Sequence, residues 1–151
     1  MHTVSKKTFI ALESIIYVAQ NSGAAPVCSK KLCEYQGLTL RYLEHILQAL
    51  VHANILKGLR GPKGGYQIAR DRKNISLCEV YDAIEQMEHI DDKSYVSKLR
   101  NNVIEPLWDK VEDGMREHLS SLTLQDLCER ANETGVWQDD DSDEEKSHFN
   151  I

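Results

Sequence analysis

This 151-residue sequence predicts a mainly α fold with a small β-wing. Three observations carry the prediction. Several stretches repeat apolar residues at helical spacing. One segment, NILKGLRGPKGGYQIAR at 54–70, sets four glycines, a proline and four positive charges between two short apolar runs. Beyond it, from about 95 to 120, lies a long amphipathic run. With 41% hydrophobic and 28% charged residues, the chain can bury a core. Its length suits one domain, or one small domain plus an appendage.

Residues 5–21 read as a helix capped by Ser5, with Phe9, Leu12, Ile16 and either Ala19 or Ile15 on its apolar face. The stretch is basic and then apolar, as a signal peptide is. Glu13 interrupts it, however, and no small-residue cleavage site closes it. It reads instead as a core helix of a cytoplasmic protein. No run of 18 apolar residues exists, so no membrane span is expected. NSGAAP at 21–26 is a loop. SKKLCEYQ is a short helix with Ser29 as its cap and Gly37 as its end. Thr39 caps a third helix with Leu43, Ile46, Leu47 and Leu50 on its inward stripe.

Two helices joined by a short glycine-containing turn fit a helix-turn-helix; an ordinary helical hairpin is the alternative. In a helix-turn-helix the second helix enters the DNA major groove through its N-terminal residues. Here those are Thr39, Arg41, Tyr42, Glu44 and His45.

The glycine-rich segment follows directly. Residues 55–59 and 66–69 are strand candidates, and RGPKGG connects them as a hairpin. The segment 55–69 therefore reads as a basic wing. Arg60 and Lys63 can reach phosphate or the minor groove. Gly61, Gly64 and Gly65 let the backbone come close, and Pro62 stiffens the tip. A nucleotide-binding loop needs Gly-Lys-Ser/Thr and then a helix. Here Gly64 precedes Gly65, Tyr66 and a strand, so the wing is favoured over that reading.

ISLCEVYDAIEQME is the next helix, opened by a Ser76/Glu79 capping box, with Val80, Ile84 and Met87 buried and Tyr81 beside them. Residues 88–97 are a polar break. In the long run, Leu99, Val103, Leu107, Val111, Met115 and Leu119 recur every four residues, with Trp108 beside them. Pro106 must distort or restart this helix. One apolar stripe far from the DNA end suits dimerisation; folding back on its own domain is the alternative. Thr123 caps a last short helix. The fold class is thus a winged helix-turn-helix domain (1–90) plus a long dimerisation helix with a short C-terminal helix (91–131). An acidic tail (132–151), with six acidic residues between 139 and 145, is expected to be disordered.

The net charge of −6 conceals a split. Residues 1–75 hold 11 Lys/Arg against 4 Asp/Glu, and residues 76–151 hold 7 against 20. A local positive field attracts phosphate whatever the overall sign. The four cysteines, at 28, 33, 78 and 128, match no zinc spacing and read as reduced cytosolic thiols. No Ser/His/Asp, His-x-x-x-His or paired-carboxylate arrangement stands out, so no enzyme is expected. His45 and His52, seven apart on one helix face, read as packing or polar surface.

Ser5-Lys6, QGLTLRYLEHIL, RGPKGGYQIAR, ISLCEVYDAIE and LTLQDL together resemble the Rrf-two family of winged helix-turn-helix transcription regulators, which includes the IscR, NsrR and CymR regulators. The resemblance runs from about residue 2 to 131. It implies a homodimer that represses or activates by binding a palindromic operator in double-stranded DNA. It places DNA contacts on Ser5, Lys6, Thr39, Arg41, Tyr42, Glu44, Arg60, Gly61 and Lys63. Glu44 faces phosphate repulsion unless it accepts from cytosine N4. Many members hold an iron–sulfur cluster on three cysteines before the dimer helix. That interval, EHIDDKSYVSKLRNN, has none here, so no cofactor is expected. His89, Asp91 and Asp92 are candidate hard-metal ligands, but such clusters on polar loops are usually solvated. Members without the cysteines include regulators of cysteine and sulfur metabolism, some with a biosynthetic enzyme as partner. The expected function is a dimeric DNA-binding repressor. The alternatives are an adaptor that keeps the fold without operator binding, and a thiol- or metal-responsive sensor using Cys28 or Cys33.

Overall fold

The structure, a computed structural model, describes residues 4–88 and 95–137. Helix α1 spans Lys6–Asn21, and the Ser5 hydroxyl accepts from the Thr8 N–H at 3.4 Å. Its inward face matches the expected one at Ile15 and Ala19, both buried, and differs elsewhere. Thr8, Ala11, Ser14, Ile15 and Val18 are buried, whereas Phe9 is 48% exposed and Leu12 and Ile16 are only partly covered. Two hydroxyls disguise the true stripe. Ser14 Oγ satisfies itself by donating to the Ile10 carbonyl at 2.7 Å, and Thr8 Oγ1 donates to Glu85 at 3.4 Å. Once paired, small polar groups cost little to bury.

Helix α2 (Ser29–Gln36) starts one residue earlier than its expected cap allows. Extended Cys28 holds the cap position, and its carbonyl accepts from the Lys31 N–H at 3.1 Å; Ser29 is already helical. Gly37 closes the helix. Thr39 then caps α3 (Leu40–His52), accepting from the Tyr42 N–H at 3.4 Å. Leu43, Ile46, Leu47 and Leu50 are fully buried, as their spacing requires.

Strand β1 (Leu56–Leu59) pairs antiparallel with β2 (Gly65–Ile68), Leu56 opposite Ile68 and Leu59 opposite Gly65. Val27 and Tyr66 exchange two backbone hydrogen bonds, at 2.9 and 2.8 Å, so the chain ahead of α2 is tied to the wing. This contact explains Gly65: a Cβ there would meet the Val27 carbonyl oxygen at 2.3 Å.

A short 3-10 turn (Arg72–Asn74) leads to α4 (Leu77–Glu88). The capping box forms in both directions. The Ser76 N–H donates to Glu79 at 2.9 Å, and the Glu79 N–H donates to Ser76 Oγ at 3.2 Å. Val80 and Ile84 enter the core and Met87 packs against it. Arg70 bridges Glu79 and the Asn74 carbonyl, locking this corner.

The long helix resolves the Pro106 conflict with a π-turn. Residues Arg100–Ile104 are π-helical, and the Glu105 N–H reaches the Arg100 carbonyl five residues back. Helix α5 (Glu105–Ser121) then starts with Pro106 in its first turn, where a missing N–H costs nothing. Helix α6 (Leu124–Thr134) carries a Thr123/Asp126 capping box. The Leu77 N–H donates to the Leu122 carbonyl and the Leu124 N–H to the Ile75 carbonyl, both at 2.9 Å. These bonds join the starts of α4 and α6. Leu124 and Cys128 lie in the same apolar core as α1, α3 and α4. The helix also continues beyond residue 131, past the expected start of the tail. Trp137, three residues after α6 ends, stands against Tyr17 and Tyr35. The acidic run at 139–145 lies outside the described residues, as does the stretch 89–94. Among the described residues no helix is long and apolar enough to cross a membrane.

Candidate nucleic-acid interface

Buried Leu43, Ile46, Leu47 and Leu50 fix the rotation of α3. Arg41, Glu44, His45 and Gln48 are therefore exposed on its other side. Tyr42 is half-buried against the core. The wing stands beside this face. A cleft of about 470 Å³ is bounded by Ser29 on α2, Gln48 on α3, and Arg60, Gly61 and Tyr66 on the wing. Arg60, Gly61 and Lys63 are exposed at the wing tip. Gly61 has φ +109, a conformation L side chains rarely adopt, so the tip turn depends on it. Lys6 is exposed in the first turn of α1. Ser5 and Thr39 serve as helix caps, their hydroxyls engaged with the backbone.

Glu44 sits between α2 and the wing. Burial and then the Glu44 charge push the Tyr66 phenol up, opposed by a hydrogen bond with Gln48. Burial and the same carboxylate also raise the Cys33 thiol. Glu34 on α2 acts on Cys33 in the same sense. A carboxylate repels phosphate and accepts from a base-edge donor such as cytosine N4. Two exposed cations on α2, Lys30 and Lys31, were not among the expected contacts. The signal was the Lys-Lys pair opening SKKLCEYQ. In a helix-turn-helix the first helix crosses the DNA backbone, where such charges meet phosphate.

The expected dimer residues divide in two. Leu99, Val103, Leu107, Trp108 and Val111 are all more than half exposed, while Met115 and Leu119 are half-buried. A row spaced by four drifts about 40° per step on a 3.6-residue helix. Its later members turn toward α4, where Arg116 forms a bidentate pair with Asp82, one arm at 2.9 Å. The Asp82 carboxylate raises the Arg116 guanidinium further above its ordinary value.

The thiols do not gather. Cys28 is exposed before α2, Cys33 is half-buried on it, and Cys78 and Cys128 are buried on α4 and α6. Among the described residues no three His, Cys, Asp or Glu side chains could hold a metal ion. Among the described residues the thiols do not converge as the ligands of an iron–sulfur cluster do. The candidate ligands His89, Asp91 and Asp92 lie outside the described residues.

An exposed recognition helix, a basic hairpin beside it and a helix-turn-helix scaffold define a winged-helix DNA-binding regulator. The comparisons agree. The model of the Rrf2 family, described as iron-dependent transcriptional regulator, matches residues 4–130. The chain belongs to the Rrf2 family. It is 29% identical over 130 residues to the HTH-type transcriptional regulator IscR of Escherichia coli O1:K1, covering 84% of this chain and 80% of that one. The solved structure of T. potens IscR is similar with a TM-score of 0.70 and 32% identity, over 88% of this chain and 90% of that one. CymR, the global cysteine regulator of B. subtilis, has a TM-score of 0.66 and 26% identity, over 86% and 98%. These relatives are transcription regulators, not enzymes.

Proposed function

We propose that this chain is a homodimeric repressor that binds a palindromic operator without an iron–sulfur cluster. The observation that carries the reading is the pairing of two surfaces: a basic face built by α3 and the wing, and an apolar row on α5 from Leu99 to Val111. Two-fold pairing through α5 would present two recognition helices, as a palindromic site demands. Arg41 and Glu44 read base edges, with Ser5, Lys6, Thr39 and Tyr42 around them; Arg60, Gly61 and Lys63 position the backbone. The likeness to CymR supports a signal from sulfur metabolism, delivered by a protein partner or a small metabolite.

The test is selection of a binding site from random duplexes, followed by titration of variants. Arg41→Ala is expected to cost about 1–3 kcal/mol on the selected site and to relax one base position. Lys63→Ala is expected to weaken selected and scrambled duplexes alike. Equal effects of both variants on both duplexes would sink the assignment. Binding with no sequence preference would favour the adaptor reading. A thiol-responsive role draws on Cys28, the exposed thiol beside the wing cleft. If oxidation by peroxide leaves operator affinity unchanged, that role is lost.

A further inference from the structure

Trp137 fixes where the chain goes after α6. Its ring lies 6.2 Å from that of Tyr17 on α1 and 6.4 Å from that of Tyr35 on α2, and the two tyrosines lie 4.6 Å apart. The chain is thereby brought to the C-terminal end of α2. The Trp137 indole N–H is shielded from solvent and has no acceptor among the described residues. A shielded indole N–H calls for one. The sequence turns strongly acidic two residues later, with six carboxylates within 139–145.

The other end of α2 is basic. Lys30 and Lys31 are exposed there, about 6–8 Å along the helix axis from Tyr35. Beyond Lys31 lies a cleft of about 560 Å³ between the 21–28 loop and the wing tip. Its charged lining groups are Lys31 and Lys63, with Asn21, Pro62 and Gly64 around them; no carboxylate lines it among the described residues. Eight residues beyond Trp137 reach at most about 26–29 Å. An α2 of eight residues is only about 12 Å long. The acidic run can therefore reach this cleft without a long loop. Opposite charges on one chain meet at a millimolar effective concentration.

We infer that the acidic run at 139–145 docks on its own chain, in the cleft that carries Lys31 and Lys63, and competes there with DNA phosphate. The competition rests on the DNA-binding reading of the wing; the docking does not. Trp137 is the anchor that holds the run within reach. The consequence is selectivity. Non-specific DNA offers phosphate alone and must displace the run. An operator adds base-edge contacts on α3 and displaces it more readily.

The experiment is zero-length carbodiimide cross-linking of the full chain, using a mixture of light and heavy isotope-labelled protein, read by mass spectrometry. The expected product is an amide within one chain, from Lys31 or Lys63 to a carboxylate in 139–145, suppressed at about 0.5 M salt. Absence of that product, or its formation only between chains, overturns the docking. A second measurement uses the chain carrying D139N, D140N, D141N, D143N, E144Q and E145Q. It is expected to bind random duplex about 5–10-fold more tightly at about 50 mM salt, the gain vanishing near about 0.3 M. Cross-linking with no gain in affinity overturns the competition. If neither chain binds DNA, the DNA-binding reading fails and the cross-link still decides the docking.

Discussion

Helices α3 and α5 are both amphipathic, yet they leave opposite things outside. On α3 four large aliphatic residues are fully buried, and Arg41, Glu44, His45 and Gln48 face out. On α5 no residue is buried, and Leu107, Trp108 and Val111 face out. The two surfaces differ in what water does for them. Exposed charge is well solvated, so the α3 face is stable alone, and under the proposed function it would exchange counterions for phosphate. Exposed apolar surface is unfavourable at about 25 cal/mol per Å² until something covers it. Contiguous patches of this kind mark interaction sites. The proposed function gives each surface its use: reversible binding on α3, and cover by a second copy on α5.

The largest effect should come from charging the apolar row. Leu107→Asp would force an unpaired carboxylate into a covered interface, at about 3–5 kcal/mol. Sedimentation should show a monomer with unchanged helical content, because Leu107 is 64% exposed within one chain. A variant that stays dimeric would show that α5 is not the interface. The matching change on α3 is Leu47→Ala, at a fully buried position. It should cost about 2–5 kcal/mol of folding stability by urea denaturation. A cost below about 1 kcal/mol would mean that the α3 stripe is not packed as described.

A smaller effect tests how α3 is started. Thr39→Ala removes the acceptor for the Tyr42 N–H and should cost about 0.5–2 kcal/mol. Thr39→Ser should restore most of it. If serine fails to rescue, the threonine acts through its methyl group rather than as a cap.

Much of this was legible in the sequence because it depends on local rules. Thr39, the Ser76/Glu79 box, Gly37 and the aliphatic stripe of α3 declare themselves within a few residues. The wing declared itself through glycine and charge, although Gly65 is explained by Val27, far off in sequence. The inward face of α1 is only partly legible, because hydropathy ranks Phe9 above Thr8 and Ser14, and only their paired hydroxyls reverse the order. Pro106 announced a disturbance but not its form, since a π-turn is a response of the backbone and has no residue signature. Trp137 carries no local signal, because its contacts are two tyrosines more than a hundred residues earlier.

The smallest effect concerns pH and the corner that joins wing to α4. Burial alone would raise the Glu79 carboxyl. The Ser76 N–H and Arg70 more than offset it, so the group lies below the ordinary carboxylate value. A carboxylate depressed in the folded state adds stability above its unfolded value, near about 4.3, and loses it as pH falls through the lower folded value. Glu79→Gln keeps the shape and one acceptor but drops the charge. Wild type should therefore melt slightly above the variant from pH 5 to 7, and the gap should close below about pH 4. With the Glu79 side chain 41% exposed, solvent screening holds the gap to about 1 kcal/mol or less. A gap that widened in acid would mean that the carboxyl acts in its protonated form, and that the Arg70 pair is not what ties the wing to α4.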